Sequence, residues 1–209
     1  GQALEVPGAI PDSVSFGVAG MVRDWGGQLV RREKLGDAPE LLREAADLAL
    51  AEADVVVVTG GASVGERDFA HLMFEAHRPE AVFTKVAIKP GKPVWMARAG
   101  ARRIVGLPGN PTSAMVTARL FLAPLLAGLA GRDPADAMMW RSAALATPLG
   151  PAGPRETLER ARWDDGRADV LKTADSGAQA ALIDADILVR RPAFSPAAQA
   201  GETVLVLDF

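Results

Sequence analysis

The stretch Asp54-Val-Val-Val-Val-Thr-Gly-Gly-Ala-Ser-Val-Gly-Glu-Arg-Asp68 decides the fold. A strand with one wet face alternates apolar and polar residues. Four consecutive valines instead mark a strand buried on both faces, as in a parallel sheet covered by helices. A glycine-rich loop follows at once, and ligands of open α/β sheets bind at the carboxyl ends of strands. Upstream, Asp12 and Ser13 can cap a helix running to about Trp25, with Phe16, Ala19, Val22 and Trp25 on one face, stopped by Gly26 and Gly27. Gln28 to Arg32 reads as a strand, and Pro39 opens an Ala- and Leu-rich helix that ends near Ala53. Downstream, Asp68 to His77 reads as a helix and Ala81 to Ile88 as a strand. Val94 to Ala97 and Arg103 to Leu107 read as a hairpin-like pair joined through Gly100. Asn110 and Pro111 cap and start a helix reaching Gly131, with a kink expected at Pro124. This alternation predicts an α/β three-layer sandwich with a mostly parallel sheet over residues 1–138.

The pattern changes after Met138. Pro148, Gly150, Pro151, Gly153 and Pro154 make a loop. Glu156 to Trp163, Asp169 to Lys172, Ile187 to Arg191 and Thr203 to Leu207 read as short strands, with a helical turn at most over Ala178 to Ala181. Residues 139–209 are therefore expected to form a small all-β, barrel-like domain.

Composition removes several functions. The net charge of -3 gives no bulk attraction to nucleic acid or to an anionic membrane, so an anion site must be built locally from placed cations and N–H groups. With no cysteine there are no disulfides, no thiolate catalysis and no cysteine-held metal. His71 and His77 stand six apart, off the i, i+4 spacing that would pair them on one helix face, and read as ordinary helix residues. No run of 18 apolar residues suggests a membrane span, and Gly1 to Ile10 lacks the pattern of a signal peptide. The expected location is cytoplasmic.

Three loops carry chemistry. Thr59 to Asp68 offers a nest of N–H groups at Gly60, Gly61 and Gly65, hydroxyls at Thr59 and Ser63, and a carboxylate at Asp68 fit for a divalent metal or a pterin N–H. Lys89-Pro-Gly-Lys-Pro93 brackets a rigid turn with two ammonium groups, suited to a dianion. Gly106-Leu-Pro-Gly-Asn-Pro-Thr-Ser113 ends a strand and opens a helix N-terminus, where the dipole and free N–H groups favour an anion. Each alone is explained as well by a tight turn, a solvated surface turn or a plain cap. Because all three follow strands, one anion-binding crevice accounts for them together.

In this order the three loops resemble the molybdopterin-binding domain of the MoeA/gephyrin family of molybdopterin molybdenumtransferases. Gly8 to Ser13, Leu35-Gly-Asp37, Arg155 to Arg160, Asp175-Ser-Gly177, Ala185 to Leu188 and Gly201 to Val204 resemble other family segments. The resemblance implies insertion of molybdate into adenylated molybdopterin with Mg²⁺ and release of AMP. It places molybdate near Lys89, Lys92, Ser113, Arg160 and Ser176. It places the pterin and phosphate on Asp12, Ser13, Asp37, Thr59, Gly60, Gly61, Ser63, Gly65, Pro108, Gly109, Asn110 and Ser113. Asp68, Lys89 and Lys92 are the implied catalytic residues, with Asp68 the Mg²⁺ contact. Val14 stands where the family has an Asn, and Asp175 adds a negative charge beside the dianion pocket. Longer family members carry further domains before this region. A homodimer and transient contacts with molybdopterin adenylyltransferase and apo-molybdoenzymes are the implied partners. Two other readings stay open: molybdopterin adenylyltransferase, or a non-catalytic molybdopterin carrier or scaffold.

Overall fold

The computed structural model describes residues 12–36, 38–60, 72–171 and 180–209. Expectations for Asp37, Gly61, Ser63, Gly65, Asp68, His71 and Ser176, and for the start of the helix at Asp68, lie outside these residues.

The first half is a three-layer sandwich. Helix α1 (Val14–Asp24) is capped by Asp12, whose carboxylate accepts from the Ser15 amide at 3.0 Å and the Ser15 hydroxyl at 2.5 Å. Ser13 makes no capping bond. Helix α2 (Pro39–Glu52) starts on its proline, where the missing N–H costs nothing. Four strands, β1 (Val55–Thr59), β2 (Glu80–Phe83), β4 (Trp95–Ala99) and β5 (Arg102–Leu107), form a sheet in the order β1-β5-β4-β2. The β-branched run works as its pattern requires. Val55 and Val57 face one helical layer with Val105 and Leu107, while Val56 and Val58 face the other with Ile104. The first layer is α1 and the long helix α3 (Pro111–Leu129), and the second is α2.

Three expectations are corrected. The sheet is mixed: among the described residues only β1–β5 is parallel, and β5–β4 and β4–β2 are antiparallel. A tight turn at Gly100 (φ +59) joins β4 to β5, and so short a link can only join antiparallel strands. The strand expected over 81–88 is broken. β2 has a register shift between Ala81 and Phe83. The chain then leaves the sheet, and Ile88–Lys89 forms β3, which pairs in parallel with β7 (Glu156–Asp164) of the second half. Gln28 to Arg32, read as a strand, pairs with nothing among the described residues.

Helix α3 is long and apolar enough to cross a membrane by length and composition, although it holds no unbroken run of 18 apolar residues. Its most apolar window is 61% buried inside the fold, so it serves as the core helix. Pro124 is accommodated without a break, because the turn before it (Ala118–Leu122) widens to a π-helix. That widening moves the carbonyl of Leu120, four residues back, off the proline ring.

The second half closes a five-stranded barrel. β7 (Glu156–Asp164), β8 (Arg167–Val170), β6 (Arg141–Leu145), β10 (Thr203–Asp208) and β9 (Ile187–Arg191) run in that order, and β9 returns to β7. Strand β6 was not expected from the sequence, since Arg141-Ser-Ala-Ala-Leu145 is weakly β-forming. A helical turn stands at Ala180–Ile183, close to where one was read.

The halves share a core. Ile88 and Val116 pack with Leu158 and Leu188, flanked by Trp140 and Phe209. Arg119, buried in the π turn, donates from Nε to the Asp208 carbonyl at 2.7 Å and from Nη1 to the Ala137 carbonyl at 2.5 Å.

Candidate functional site

The site gathers around the first turns of α3. Asn110 caps the helix by accepting from the Ser113 amide at 3.2 Å, as the sequence implied. The glycine loop begins at Gly60, whose φ of +85 suits glycine and whose N–H donates to the Leu107 carbonyl at 3.3 Å. A Cβ on Gly109 would lie 3.3 Å from the Gly60 Cα, so these two loops meet backbone to backbone. Pro108 is buried beneath them.

The lysine turn meets the same helix from the other side. Gly91 has φ +107, and a Cβ there would lie 2.2 Å from the Thr117 methyl and 3.7 Å from the Ser113 carbonyl. Thr117 cannot swing away: it is fully buried, and its hydroxyl donates to the Ser113 carbonyl at 2.7 Å. Lys89 and Lys92 flank this contact and are both exposed. From the barrel, Arg160 is buried on β7 and donates from Nη1 to the Thr112 hydroxyl at 3.4 Å. Thus Thr59, Gly60, Gly109, Asn110, Ser113, the lysine turn and Arg160 come to one end of one helix.

One cavity borders the start of the glycine loop and a second borders the lysine turn. The larger, about 740 Å³, places Asp12 with Thr59 and Gly60 in its wall, beside Arg32 and Lys34. Burial pushes the Asp12 carboxyl up. The two hydrogen bonds from Ser15, with Arg32 and Lys34 nearby, outweigh this and hold it below the usual carboxylate range. The Ser13 hydroxyl beside it is buried with no hydrogen-bond partner. The smaller cavity, about 350 Å³, opens at the barrel mouth between Lys89, Arg155, Thr157, Glu159 and Arg191 under the 149–154 loop. Lys89 therefore lines the barrel-side cavity and not the larger one.

Sequence reading missed three residues here. Thr112 receives Arg160. Arg155 donates from Nη1 to the Ile88 carbonyl at 3.3 Å, and so holds β3 against the barrel. Arg191 is 5% exposed and donates to the Gly150 and Pro196 carbonyls, while its Nη1 has no partner. Arg155 sat inside a quoted motif and was legible; Arg191 carries no local signal. Among the described residues no three His, Asp or Glu side chains gather as a metal centre.

The family described as "Probable molybdopterin binding domain" matches residues 3–128. This chain belongs to that family. It is also a homologue of the MoeA proteins across both halves. The molybdopterin molybdenumtransferase of Nostoc sp. is 33% identical over 128 residues, covering 60% of this chain and 29% of its own length. That of Staphylococcus epidermidis is 27% identical over 205 residues, covering 96% of this chain and 49% of its own. The solved molybdopterin biosynthesis MoeA protein from Pyrococcus horikoshii superposes with a TM-score of 0.82 at 27% identity, over 97% of this chain and 49% of its own. The chain thus spans half or less of the length of these relatives, and the α/β-plus-barrel architecture is the MoeA architecture.

Proposed function

We propose that this molybdopterin-binding chain holds adenylated molybdopterin and molybdate together at the N-terminus of α3 and takes part in inserting molybdenum into the dithiolene with release of AMP. The observation that carries the reading is convergence: the lysine turn packs on Ser113–Thr117, and Arg160 of the barrel reaches Thr112 on the same turn. Molybdate is a tetrahedral dianion. Lys89, Lys92 and Arg160 supply charge, and the helix dipole and the Ser113 hydroxyl add to it. Ser176 is assigned to the same pocket from the resemblance. The pterin and phosphate belong to the glycine loop after Thr59, with Gly61, Ser63 and Gly65 cradling it and Asp12, Ser13 and Asp37 alongside. Within this reading Asp68 would hold Mg²⁺, and the bound ion would neutralise phosphate charge. The domain division at 138/139 and a cytoplasmic location belong to the same proposal.

The residues' work is positional. Fixed donors desolvate the oxyanion and hold it beside the dithiolene, so that no reorganisation is needed as charge moves. A second reading, binding without turnover, is favoured by one fact: the relatives named molybdenumtransferases are about twice as long as the matched region. The test is calorimetric titration of molybdate together with AMP release from adenylated molybdopterin. The double variant Lys89→Ala, Lys92→Ala should lose molybdate affinity at least about tenfold with its fold intact, because both side chains are exposed. Unchanged affinity in a folded variant refutes the site. Molybdate binding without AMP release in the parent chain selects the binding reading.

A further inference from the structure

Strand β9 carries a charge where its alternation calls for a core residue. Ile187, Val189 and Arg191 fall on one face of the strand. Ile187 and Val189 lie in the barrel core with Ala161 of β7. Arg191 comes next on that face, at the barrel mouth, opposite Thr157 of β7. It is only 5% exposed. A guanidinium so deeply buried is normally matched by a carboxylate. Among the described residues Arg191 forms no ion pair. Its Nε donates to the Ser195 hydroxyl at 3.3 Å, and its Nη2 donates to the carbonyls of Gly150 and Pro196 at 3.1 and 2.5 Å. Nη1 is buried with no partner. Neutral acceptors therefore hold the fork in place and leave its positive charge without a counter-charge.

That charge stands in the wall of the barrel-mouth cavity of about 350 Å³. Lys89 and Arg155 line the same cavity, and among the described residues neither forms an ion pair. Glu159 is the one carboxylate in that lining among the described residues, so three cations share the wall with a single anion. The cover over Arg191 is a pair of loops tied edge to edge. Leu149 and Ala198 exchange backbone bonds at 2.9 Å, Ala152 N–H donates to the Ser195 carbonyl at 2.9 Å, and Phe194 N–H donates to the Gly153 carbonyl at 2.8 Å. These loops screen the guanidinium from water. Its field therefore reaches a neighbouring ion less attenuated than that of the exposed Lys89, and needs no direct contact to do so.

We propose that Arg191 is a specificity-determining residue of the oxyanion site, a buried counter-charge that selects a dianion over a monoanion of the same shape. The inference rests on the reading that Lys89 meets molybdate, and adds to that site a cation supplied by the barrel from outside the three loops. Attraction to a fixed charge grows in proportion to the charge on the ligand, and most steeply where water does not screen it. Arg191 is the cation of this wall that is shielded from water, so it separates two negative charges from one more sharply than Lys89 does. A dianion in the cavity also supplies the counter-charge that the protein itself withholds from Arg191.

Calorimetric titration with molybdate and with perrhenate, a tetrahedral monoanion of similar size, tests it. Arg191→Gln removes the charge but keeps an amide that can donate to a loop carbonyl. Arg191→Lys keeps both the charge and a donor. The parent chain should bind molybdate at least about tenfold more tightly than perrhenate. Arg191→Gln should bring that ratio down by about tenfold, through weaker molybdate binding, and Arg191→Lys should hold it within about threefold of the parent. If Arg191→Gln does not fold, Arg191→Met makes the same comparison with no polar atom left to satisfy. Equal losses for both anions in the neutral and the lysine variants would overturn the proposal, because Arg191 would then serve only to hold the loops. A parental ratio in the neutral variant would overturn it as well. Molybdate binding that falls in Lys89→Ala, Lys92→Ala but not in Arg191→Gln would overturn this inference and leave the proposed function standing. No molybdate binding by the parent chain would overturn both.

Discussion

Asp12 was expected to cap α1, and it does. Its carboxylate is engaged by Ser15 as the cap of α1, and its place in the cavity wall with Thr59 and Gly60 follows from where that helix starts. Because the folded pKa lies below the ordinary carboxylate value, the stabilisation is present above about pH 4 and is lost as pH falls through the folded value. Asp12→Ala should cost about 1 kcal/mol at pH 7. Urea midpoints at pH 7 and at pH 3 check this, with the gap between variant and parent shrinking at the lower pH. Arg191 is the opposite case. Nothing around it in sequence marks it, and only barrel closure buries its guanidinium beside the cavity that Lys89 lines.

Between neighbouring elements, the decisive contact is that of the lysine turn with α3. Gly91 lets the turn lie against Thr117, and both the positive φ and the 2.2 Å approach exclude a side chain there. Gly91→Ala should destabilise by about 2 kcal/mol. It should also lower molybdate affinity about tenfold by lifting Lys89 and Lys92 off the helix. Thermal unfolding and calorimetry read the two effects separately, and a stable variant with parental affinity would show that the packing does not position the lysines. Elements with strong local signals stand where the sequence put them: α1, α2, β1, the Gly100 hairpin and the start of α3. Those without do not. The segment read as one strand over 81–88 serves two sheets, because Ile88–Lys89 finds its hydrogen bonds on β7 and not on β4. A local pattern can show that a segment is extended, but not which neighbour it will pair with.

At the scale of the whole molecule, Arg119 ties the halves together. It is buried, and that burial pulls its pKa down from the usual guanidinium range. Its two bonds run to carbonyls at the end of the barrel's last strand and at the junction between the halves. Arg119→Leu should lower stability by about 2–4 kcal/mol, since charged hydrogen bonds are lost and two carbonyls are left bare. Denaturant unfolding followed at Trp25 on one side and Trp163 on the other checks it. The parent should show one coincident transition, because β3 and the shared core bind the halves. A variant with parental midpoint would remove Arg119 from the interface.

The sequence by itself determined the class of both halves, helices α1 and α2, strand β1, the Gly100 hairpin and the start of α3. Those features rest on local physics: β-branched runs, prolines at helix starts, glycines where φ must be positive. Tertiary structure alone decided that the sheet is mixed, that a two-residue strand crosses to the barrel, and that Arg191 is buried beside the cavity that Lys89 lines. Each of these depends on which distant strand supplies a hydrogen-bond partner, and pairing between residues far apart in the chain leaves no local mark.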